Sequence, residues 1–207
     1  MFQFDDINII KITVGDLQTN CYIVFLPNAS KVVVIDPGAD YDAIVQALEG
    51  KDIDSVILTH GHFDHMGAVD ALAELYDFDL YVHEEDDELL KNEQKNCSEH
   101  FCANPFVVQK QAVLYTENTA IYSAGITFKV MHTPGHTKGS SCLYVKTPRH
   151  NILFTGDTLF KGGYGRTDLY GGSFSQMVKS ARRLLQLEGY YTCFSGHGED
   201  TSIGIKS

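Results

Sequence analysis

LTHGHFDHMG, residues 58–67, places three histidines and an aspartate within six positions. Taken alone, such a cluster is compatible with surface polarity, a helix end or a metal site. Residues 55–58 have the pattern of a short buried strand, and a helical pattern begins near Met66. The cluster therefore lies on the loop that leaves the end of a strand, where α/β sheets often carry functional residues.

The spacing inside this loop points towards metal binding. His60 and His62 are two positions apart and can be directed at one centre from an extended loop. Asp64 and His65, at the start of the helix, can be directed at a second centre nearby. Neutral imidazole and carboxylate groups are the ligands that suit zinc, iron or manganese.

Three later segments follow an apolar run with a histidine or an aspartate beside glycine: MHTPGHT at 131–137, FTGDT at 154–158 and SGHG at 195–198. Glycine lets the backbone turn sharply next to a ligand. A lone histidine in a loop is usually solvated polarity. Because four separate strand ends each deliver a ligand type, the sequence predicts one metal site built from all of them.

The composition is that of an ordinary globular protein, with 43% hydrophobic and 21% charged residues. A length of 207 residues suits a single domain spanning 1–207. The formal net charge of -11 would repel a polyanion such as nucleic acid. No apolar run reaches the roughly 18 residues that span a membrane, and the acidic start MFQFDDINII lacks the basic region of a secretion signal. We therefore expect a cytoplasmic protein without nucleic-acid or membrane partners.

The cysteine pattern favours a reducing compartment. The number is odd and no C-x-x-C pair occurs among Cys21, Cys97, Cys102, Cys142 and Cys193. Such a pattern is not a disulfide framework. The spacing of Cys97 and Cys102 is a weak redox or metal signal, and unpaired thiols are the expectation.

The periodicity predicts strands and helices in alternation, arranged as an antiparallel meander followed by a βαβ rhythm. Strands are predicted at 10–14, 21–26, 31–35, 55–58, 79–82, 126–131, 141–145, 152–154 and 192–195. Helices are predicted at 42–48, 66–76 and 174–187. Residues 84–112 are expected to form a helix and then an irregular insertion, which either covers an active site or decorates the surface.

The pattern H-x-H-x-D-H at 60–65, with the later His, Asp and His, resembles the metallo-β-lactamase superfamily. Further landmarks resemble it as well: NCY at 20–22, VIDPG at 34–38, HTPGHT at 132–137, TGDT at 155–158 and GHG at 196–198. The resemblance covers nearly the whole chain. It implies an α/β (α+β) fold, a four-layer αβ/βα sandwich with a binuclear metal site at one edge of the sheets.

The resemblance also implies seven metal ligands, which form two groups of three and one bridging carboxylate. The first metal would be held by His60, His62 and His136. The second metal would be held by Asp64, His65 and His197. Asp157 would bridge the two divalent metals, for which zinc is favoured and iron or manganese is compatible.

Three further residues are candidates for supporting roles. Asp36, in VIDPG, would hydrogen-bond the ligand loop or serve only as a turn residue. The stretch GRTDLYGGS at 165–173 resembles a signature of short bacterial glyoxalase II-like hydrolases and would cap the helix at 174 with Asp168 and Ser173. Arg166 is a candidate to contact a substrate carboxylate, and a buried salt bridge with Asp168 or another acid is the alternative.

The reaction that the resemblance implies is hydrolysis of an ester, thioester, lactone or amide by a hydroxide shared between two metals. Asp64 would orient that hydroxide, so Asp64 and Asp157 are the expected catalytic residues. True β-lactamases of this fold carry Cys or Ser in place of Asp157, so antibiotic hydrolysis is not expected. The complete ligand set resembles glyoxalase II (hydroxyacylglutathione hydrolase), which implies a small-molecule thioester such as S-lactoylglutathione.

One departure and two alternatives stand beside this expectation. The chain ends ten residues after His197, whereas glyoxalase II continues into a helical region that helps to bind glutathione. Persulfide dioxygenases share the H-x-H-x-D-H core and would bind one iron through His60, His136 and Asp157. A non-catalytic metal-binding member is the third possibility.

Substrate choice and oligomeric state stay open at this point. The substrate would be selected by the loops at 84–112 and 159–173. Phe106, Phe160 and Tyr164 are candidates to line the pocket, although lone aromatic residues are more often packing residues.

Overall fold

The computed structural model describes residues 1–204. Within that range, seven strands form an N-terminal sheet in chain order, namely β1 (Phe2–Phe4), β2 (Ile7–Val14), β3 (Thr19–Phe25), β4 (Lys31–Ile35), β5 (Asp52–Ile57), β6 (Asp79–His83) and β7 (Ala112–Tyr115). Six more strands of the same range form a C-terminal sheet, namely β8 (Ala120–Ser123), β9 (Ile126–His132), β10 (Ser141–Lys146), β11 (Asn151–Gly156), β12 (Tyr191–Ser195) and β13 (Thr201–Ile203).

In sequence, the helices lie between strands of the two sheets. They are α1 (Tyr41–Leu48), α2 (Phe63–Met66), α3 (Val69–Leu75), α4 (Asp87–Leu90), α5 (Ser98–Phe101) and α6 (Phe174–Leu185), with a 3-10 turn at Glu84–Asp86. Ser173 caps α6, because its hydroxyl accepts a hydrogen bond from the Gln176 amide at 3.5 Å. The predicted cap by Ser173 is therefore confirmed.

Three apolar cores show that the chain folds into four layers. The first core packs α1 and α3 onto the N-terminal sheet and includes Ile44 and Leu72. The second lies between the two sheets and includes Tyr22 and Phe154. The third packs α6 onto the C-terminal sheet through Leu184. The predicted αβ/βα sandwich is confirmed.

Strand direction explains where the functional loops meet. Strands β1 to β4 are antiparallel, as predicted for the meander, and β4 to β7 are parallel. In the C-terminal sheet, β11 and β12 are parallel to each other. Parallel neighbours end at the same edge of a sheet. The loops after β4 and β5, and those after β11 and β12, therefore collect histidines and aspartates at the carboxyl edges of both sheets.

The predicted single helix at 66–76 is wrong. Two helices occupy this region instead, and α2 begins three residues earlier, so it carries Asp64 and His65. Gly67 interrupts the helical run where two backbones touch, because a Cβ there would lie 2.3 Å from the carbonyl oxygen of Gly38. Close backbone approach at a glycine is a tertiary constraint that helical periodicity does not report.

The segment 84–112 is partly as predicted. It forms short helices and an irregular stretch, but it ends in strand β7, which was not predicted. Val113 and Leu114 in β7 are both exposed, so the strand lacks the alternation that marks a half-buried strand. Strands β1, β8 and β13 were also missed, and each has four residues or fewer.

All five cysteines are unpaired, as expected. In the part of the chain from 1 to 204, every helix is too short or too polar to cross a bilayer.

One buried tyrosine connects β7 to the ligand loop. The Tyr115 hydroxyl donates a hydrogen bond to the carbonyl of Leu58 at 2.7 Å, and both residues are buried. Leu58 opens the loop that carries the histidine cluster.

We predict that Tyr115→Phe lowers the free energy of unfolding by about 1–3 kcal/mol, because it removes the donor to a buried carbonyl. Tyr122→Phe is the control, since that side chain is 74% exposed on β8 of the other sheet. Its effect should stay within about 0.5 kcal/mol. Denaturant unfolding measures both, and equal losses would contradict the role given to the Tyr115 hydroxyl.

Candidate metal centre

The structure brings all seven predicted ligands together at the carboxyl edges of the two sheets. Three overlapping groups have ligand atoms that lie within 4.8 Å of one another: His60, His62 and His136; Asp64, His65 and His197; and His60, His65 and Asp157. These residues follow β5, β9, β11 and β12. The prediction that four strand ends build one site agrees with this placement.

The first group consists of three buried imidazoles. His62 Nδ1 and His136 Nε2 are 2.8 Å apart. The ring of His60 lies 4.9 Å from the ring of His62 and 4.7 Å from that of His136. One nitrogen from each ring thus lies within 4.8 Å of the others, which suits a metal held by three imidazoles.

The second group combines one carboxylate with two imidazoles. Asp64 Oδ2 lies 3.3 Å from His197 Nε2 and 3.6 Å from His65 Nε2. The two Nε2 atoms are 3.3 Å apart. This set offers one oxygen and two nitrogens, whereas the first group offers three nitrogens.

Asp157 lies between the two groups. Its Oδ2 is 3.4 Å from His136 Nε2 and 3.5 Å from His197 Nε2, while its Oδ1 is 3.5 Å from His65 Nε2. Gly196 allows this position, because a Cβ there would lie 2.2 Å from Asp157 Oδ1. One carboxylate therefore contacts imidazoles of both groups.

The donor set fits divalent metal ions. Among the described residues, the buried atoms His60 Nε2, His62 Nε2 and Asp157 Oδ1 have no hydrogen-bond partner. Buried polar atoms are normally paired, so a cluster of unpaired ones needs a further ligand. Neutral imidazole and carboxylate donors at these distances suit zinc, iron or manganese.

Burial and neighbouring charge set the protonation of the cluster. Burial, together with the surrounding histidines, lowers the pKa values of His60 and His62 well below the usual range, so both stay neutral. Burial alone would also lower the pKa of His65. The carboxylates of Asp64, Asp36 and Asp157 outweigh burial and raise that pKa to about 10. The three carboxylates therefore concentrate negative charge around His65, which favours binding of a metal cation in this part of the cluster.

Asp36 holds the ligand loop, as predicted. Its Oδ1 accepts a hydrogen bond from the Thr59 amide at 2.8 Å, and its Oδ2 accepts one from the Thr59 hydroxyl at 2.7 Å. The same Oδ2 lies 3.0 Å from His65 Nδ1. Carboxylates that contact the far nitrogen of a ligating histidine fix its ring orientation.

Main-chain carbonyls and one hydroxyl hold the other ligands. His136 Nδ1 lies 2.8 Å from the carbonyl oxygen of Arg166, and His197 Nδ1 lies 3.0 Å from that of Leu17. The Thr19 hydroxyl donates to Asp64 Oδ2 at 3.0 Å. Leu17 and Thr19 were missed in the sequence, although Thr19 directly precedes the NCY landmark.

Asp86 is a buried acid that sequence reasoning also missed. Its Oδ2 accepts hydrogen bonds from the Gly61 amide at 2.9 Å and the Thr137 hydroxyl at 2.7 Å. Its Oδ1 accepts one from the Gly139 amide at 2.7 Å. One carboxylate thus ties the loop of His60 and His62 to the loop of His136. The acidic run EEDD hid this residue, since such a run usually marks a solvated helix face.

Arg166 and Asp168 pair with each other, but the pair is not buried. Two hydrogen bonds of 2.8 Å join the guanidinium to the carboxylate, and the side chains are 55% and 67% exposed. The prediction of a buried salt bridge is wrong in its burial, because this glycine-rich loop lies on the surface. Asp168 makes this pair instead of the predicted cap of α6.

A cavity of about 280 Å³ opens over the cluster, and we call it the site cavity. Its lining includes ligand residues of both groups together with Arg166, Leu17 and Phe160. Of the predicted pocket aromatics, Phe160 lines this cavity and Phe106 lines a neighbouring one. Tyr164 packs against Phe174 at 6.2 Å and lines a third cavity.

Comparison with known proteins identifies the family. The family model described as the metallo-β-lactamase superfamily matches residues 14–197. The chain belongs to the metallo-β-lactamase superfamily. This membership supports a metal-dependent hydrolase, and the His/Asp cluster implies divalent metals.

Two relatives and two solved structures are similar over nearly their whole length. A probable metallo-hydrolase, YqgX of Bacillus subtilis, is 34% identical over 197 residues, covering 93% of this chain and 91% of the relative. Hydroxyacylglutathione hydrolase GloC of Haemophilus influenzae is 31% identical over 203 residues, covering 95% and 93%. The B3 metallo-β-lactamase BLEG-1 superimposes with a TM-score of 0.88 at 34% identity, covering 94% of both chains. TTHA1623 in a di-iron-bound form gives 0.82 at 31% identity, covering 93% of this chain and 94% of that one.

We predict that Asp86→Asn weakens metal retention about 10- to 100-fold, because two loops that carry ligands lose their common acceptor. The amide group of asparagine would face a main-chain N–H in place of one carboxylate oxygen. Metal content after dialysis against a graded chelator series measures the effect. Asp87→Asn is the matched control, since Asp87 pairs with Lys91 at the surface. Equal metal retention in the two variants would contradict the role of Asp86.

Proposed function

We propose that this chain is a binuclear metal-dependent hydrolase that cleaves a thioester such as S-lactoylglutathione. The observation that carries the proposal is the position of Asp157, whose carboxylate contacts His136 of one group and His65 and His197 of the other. The similarity to hydroxyacylglutathione hydrolase GloC supports the thioester. The unpaired cysteines support a reducing, cytoplasmic location.

Each group would hold one metal, and Asp157 would contribute to both. His60, His62 and His136 form the first set, and Asp64, His65 and His197 form the second. Zinc is favoured, and iron or manganese suits the same donors. Two such metals, when bound, lower the pKa of a water towards neutrality and polarise the carbonyl of the substrate.

The side chains that line the site cavity can orient the attacking water and bind the substrate. Asp64 faces the site cavity, and the Thr19 hydroxyl fixes its Oδ2, so Asp64 can align a water and accept its proton. Leu17 and Phe160 line the same cavity and give it apolar surface. Arg166 also lines the cavity and can bind a carboxylate of the substrate in place of the exposed Asp168.

A thiol nucleophile is not needed for this reaction. Cys97 lines the site cavity, but burial and the nearby Asp64 raise its pKa. A thiol with a raised pKa carries little thiolate at neutral pH and is a poor nucleophile. Water is therefore the attacking group in the proposed reaction.

Hydrolysis of a β-lactam is the second candidate. The similarity to the B3 metallo-β-lactamase BLEG-1 favours it, since both chains are covered almost completely. A lactam ring presents the same kind of carbonyl to the same ligand cluster. The presence of Asp157, where the resemblance would place Cys or Ser in a β-lactamase, favours the thioester.

The proposal is tested with metal-loaded protein and three substrates assayed in parallel. We expect turnover of S-lactoylglutathione, followed by loss of its thioester absorbance, and a rate reduced more than about 100-fold in Asp157→Ala. Asp42→Asn, an exposed change on α1, is the control and should keep the rate.

The other two substrates distinguish the alternatives. Turnover of the chromogenic cephalosporin nitrocefin with an inert thioester would establish the β-lactam reaction instead. Oxygen uptake with glutathione persulfide, with both hydrolytic substrates inert, would establish a dioxygenase. Inertness towards every substrate at full metal loading would favour a non-catalytic binding role.

A further inference from the structure

We propose that the substrate carries a bulky, uncharged acyl group, which binds in a second cavity beside the metal centre and is selected by the stacked rings of Phe63 and Phe101. This inference rests on the proposed hydrolase function and specifies the acyl half of its substrate.

Two cavities meet at one ligand residue. The side cavity, as we call it, has a volume of about 480 Å³ and shares Leu17, Phe63, Asp64 and Phe101 with the site cavity. Small-molecule sites commonly measure about 300–1,000 Å³. A carbonyl placed at Asp64 therefore has space on either side, and the side cavity is larger than a lactoyl group requires.

The wall between the cavities is a pair of aromatic rings. Phe63 and Phe101 stack with their centroids 5.7 Å apart and their planes 11° from parallel. Phe63 lies between the candidate ligands His62 and Asp64, so this wall is attached directly to the metal centre. Phe101 is 53% exposed, and its free face gives an apolar surface to a ligand.

A buried asparagine holds this wall in place. The side chain of Asn96 accepts from the Ser98 amide at 2.8 Å and donates to the carbonyl of Phe106 at 2.9 Å. Its main-chain carbonyl accepts from the Phe63 amide at 3.0 Å. Asn96 is fully buried, so its hydrogen bonds fix α5, which carries Phe101, against α2, which carries Asp64 and His65.

The lining of the side cavity favours an uncharged, apolar group over an anionic one. Apolar contacts come from Val14, Ala103 and Phe106, and the charged lining residues are Asp16, Asp40 and the shared Asp64. Within the described chain, no lysine or arginine lines this cavity. An anionic acyl group would be repelled there, whereas Arg166 in the site cavity can take the anionic half of the substrate.

The test compares acyl groups of different size and charge on one leaving group. Glutathione thioesters of acetate, hexanoate and succinate are assayed with the metal-loaded enzyme. We expect kcat/KM for the hexanoyl ester to exceed that for the acetyl ester at least about 10-fold, since each buried methylene contributes to transition-state binding. The succinyl ester, with its negative charge, should be poorer than the hexanoyl ester by a similar factor.

Variants assign this preference to the aromatic wall. Phe101→Ala should lower kcat/KM for the hexanoyl ester about 10-fold more than kcat/KM for the acetyl ester, mainly through KM. Phe101→Leu should restore part of the preference. Tyr122→Ala, which removes an exposed ring from β8, is the control and should change neither ester. Metal content is measured for every variant.

Binding of thioethers separates this inference from the proposed function. S-hexylglutathione and S-methylglutathione cannot be hydrolysed, so calorimetry reports binding without turnover, and the difference between the two compounds reports the contribution of the alkyl group. Tighter binding of the hexyl compound that is lost in Phe101→Ala supports the acyl cavity even if no thioester is turned over. The acyl-cavity inference would be overturned if wild type and Phe101→Ala showed the same ratio of hexanoyl to acetyl turnover. Equal binding of the two thioethers would also overturn it.

Discussion

The structure depends on one constraint: imidazoles and carboxylates from four strand ends must be held within a few ångströms of one another. Asp157 is the point at which the two halves of this cluster join, since it contacts histidines of both groups. Buried polar atoms without a partner lower the stability of the fold, and metal ions bound by these nitrogens and oxygens would remove that penalty. The parallel strand pairs of the two sheets, β4 with β5 and β11 with β12, bring these loops to the same edge of the sandwich.

Much of the remaining polar structure supports this cluster. Asp36 connects the loop after β4 to Thr59 and His65. Asp86 connects the loop after β5 to the loop after β9. The two aspartates come from different elements and hold the ligand loop after β5 at different points, Asp36 at Thr59 and His65 and Asp86 at Gly61. The segment 84–112 contributes twice, through Asp86 below the ligand loops and through Phe101 beside the cavity.

Short-range signals in the sequence predicted two sheets faced by helices and a metal site built from four strand ends, and the resemblance of its motifs to a known superfamily implied the seven candidate ligands. Apolar runs mark the central strands, and His62 and Asp64 stand in one compact motif. The sequence did not predict the break at Gly67, the edge strand β7 or the function of Asp86. Each of these depends on contacts between segments far apart in the chain, such as Gly67 against Gly38. Local propensity and periodicity carry no information about such contacts.

The most direct test of the binuclear account is metal stoichiometry by elemental analysis of dialysed protein. The account predicts about two divalent metals per chain in the wild type and about one in Asp64→Ala, with Asp42→Asn unchanged. The variant should lose the metal of its own group, while His60, His62 and His136 keep theirs. A single metal in the wild type, or undiminished metal in Asp64→Ala, would contradict it.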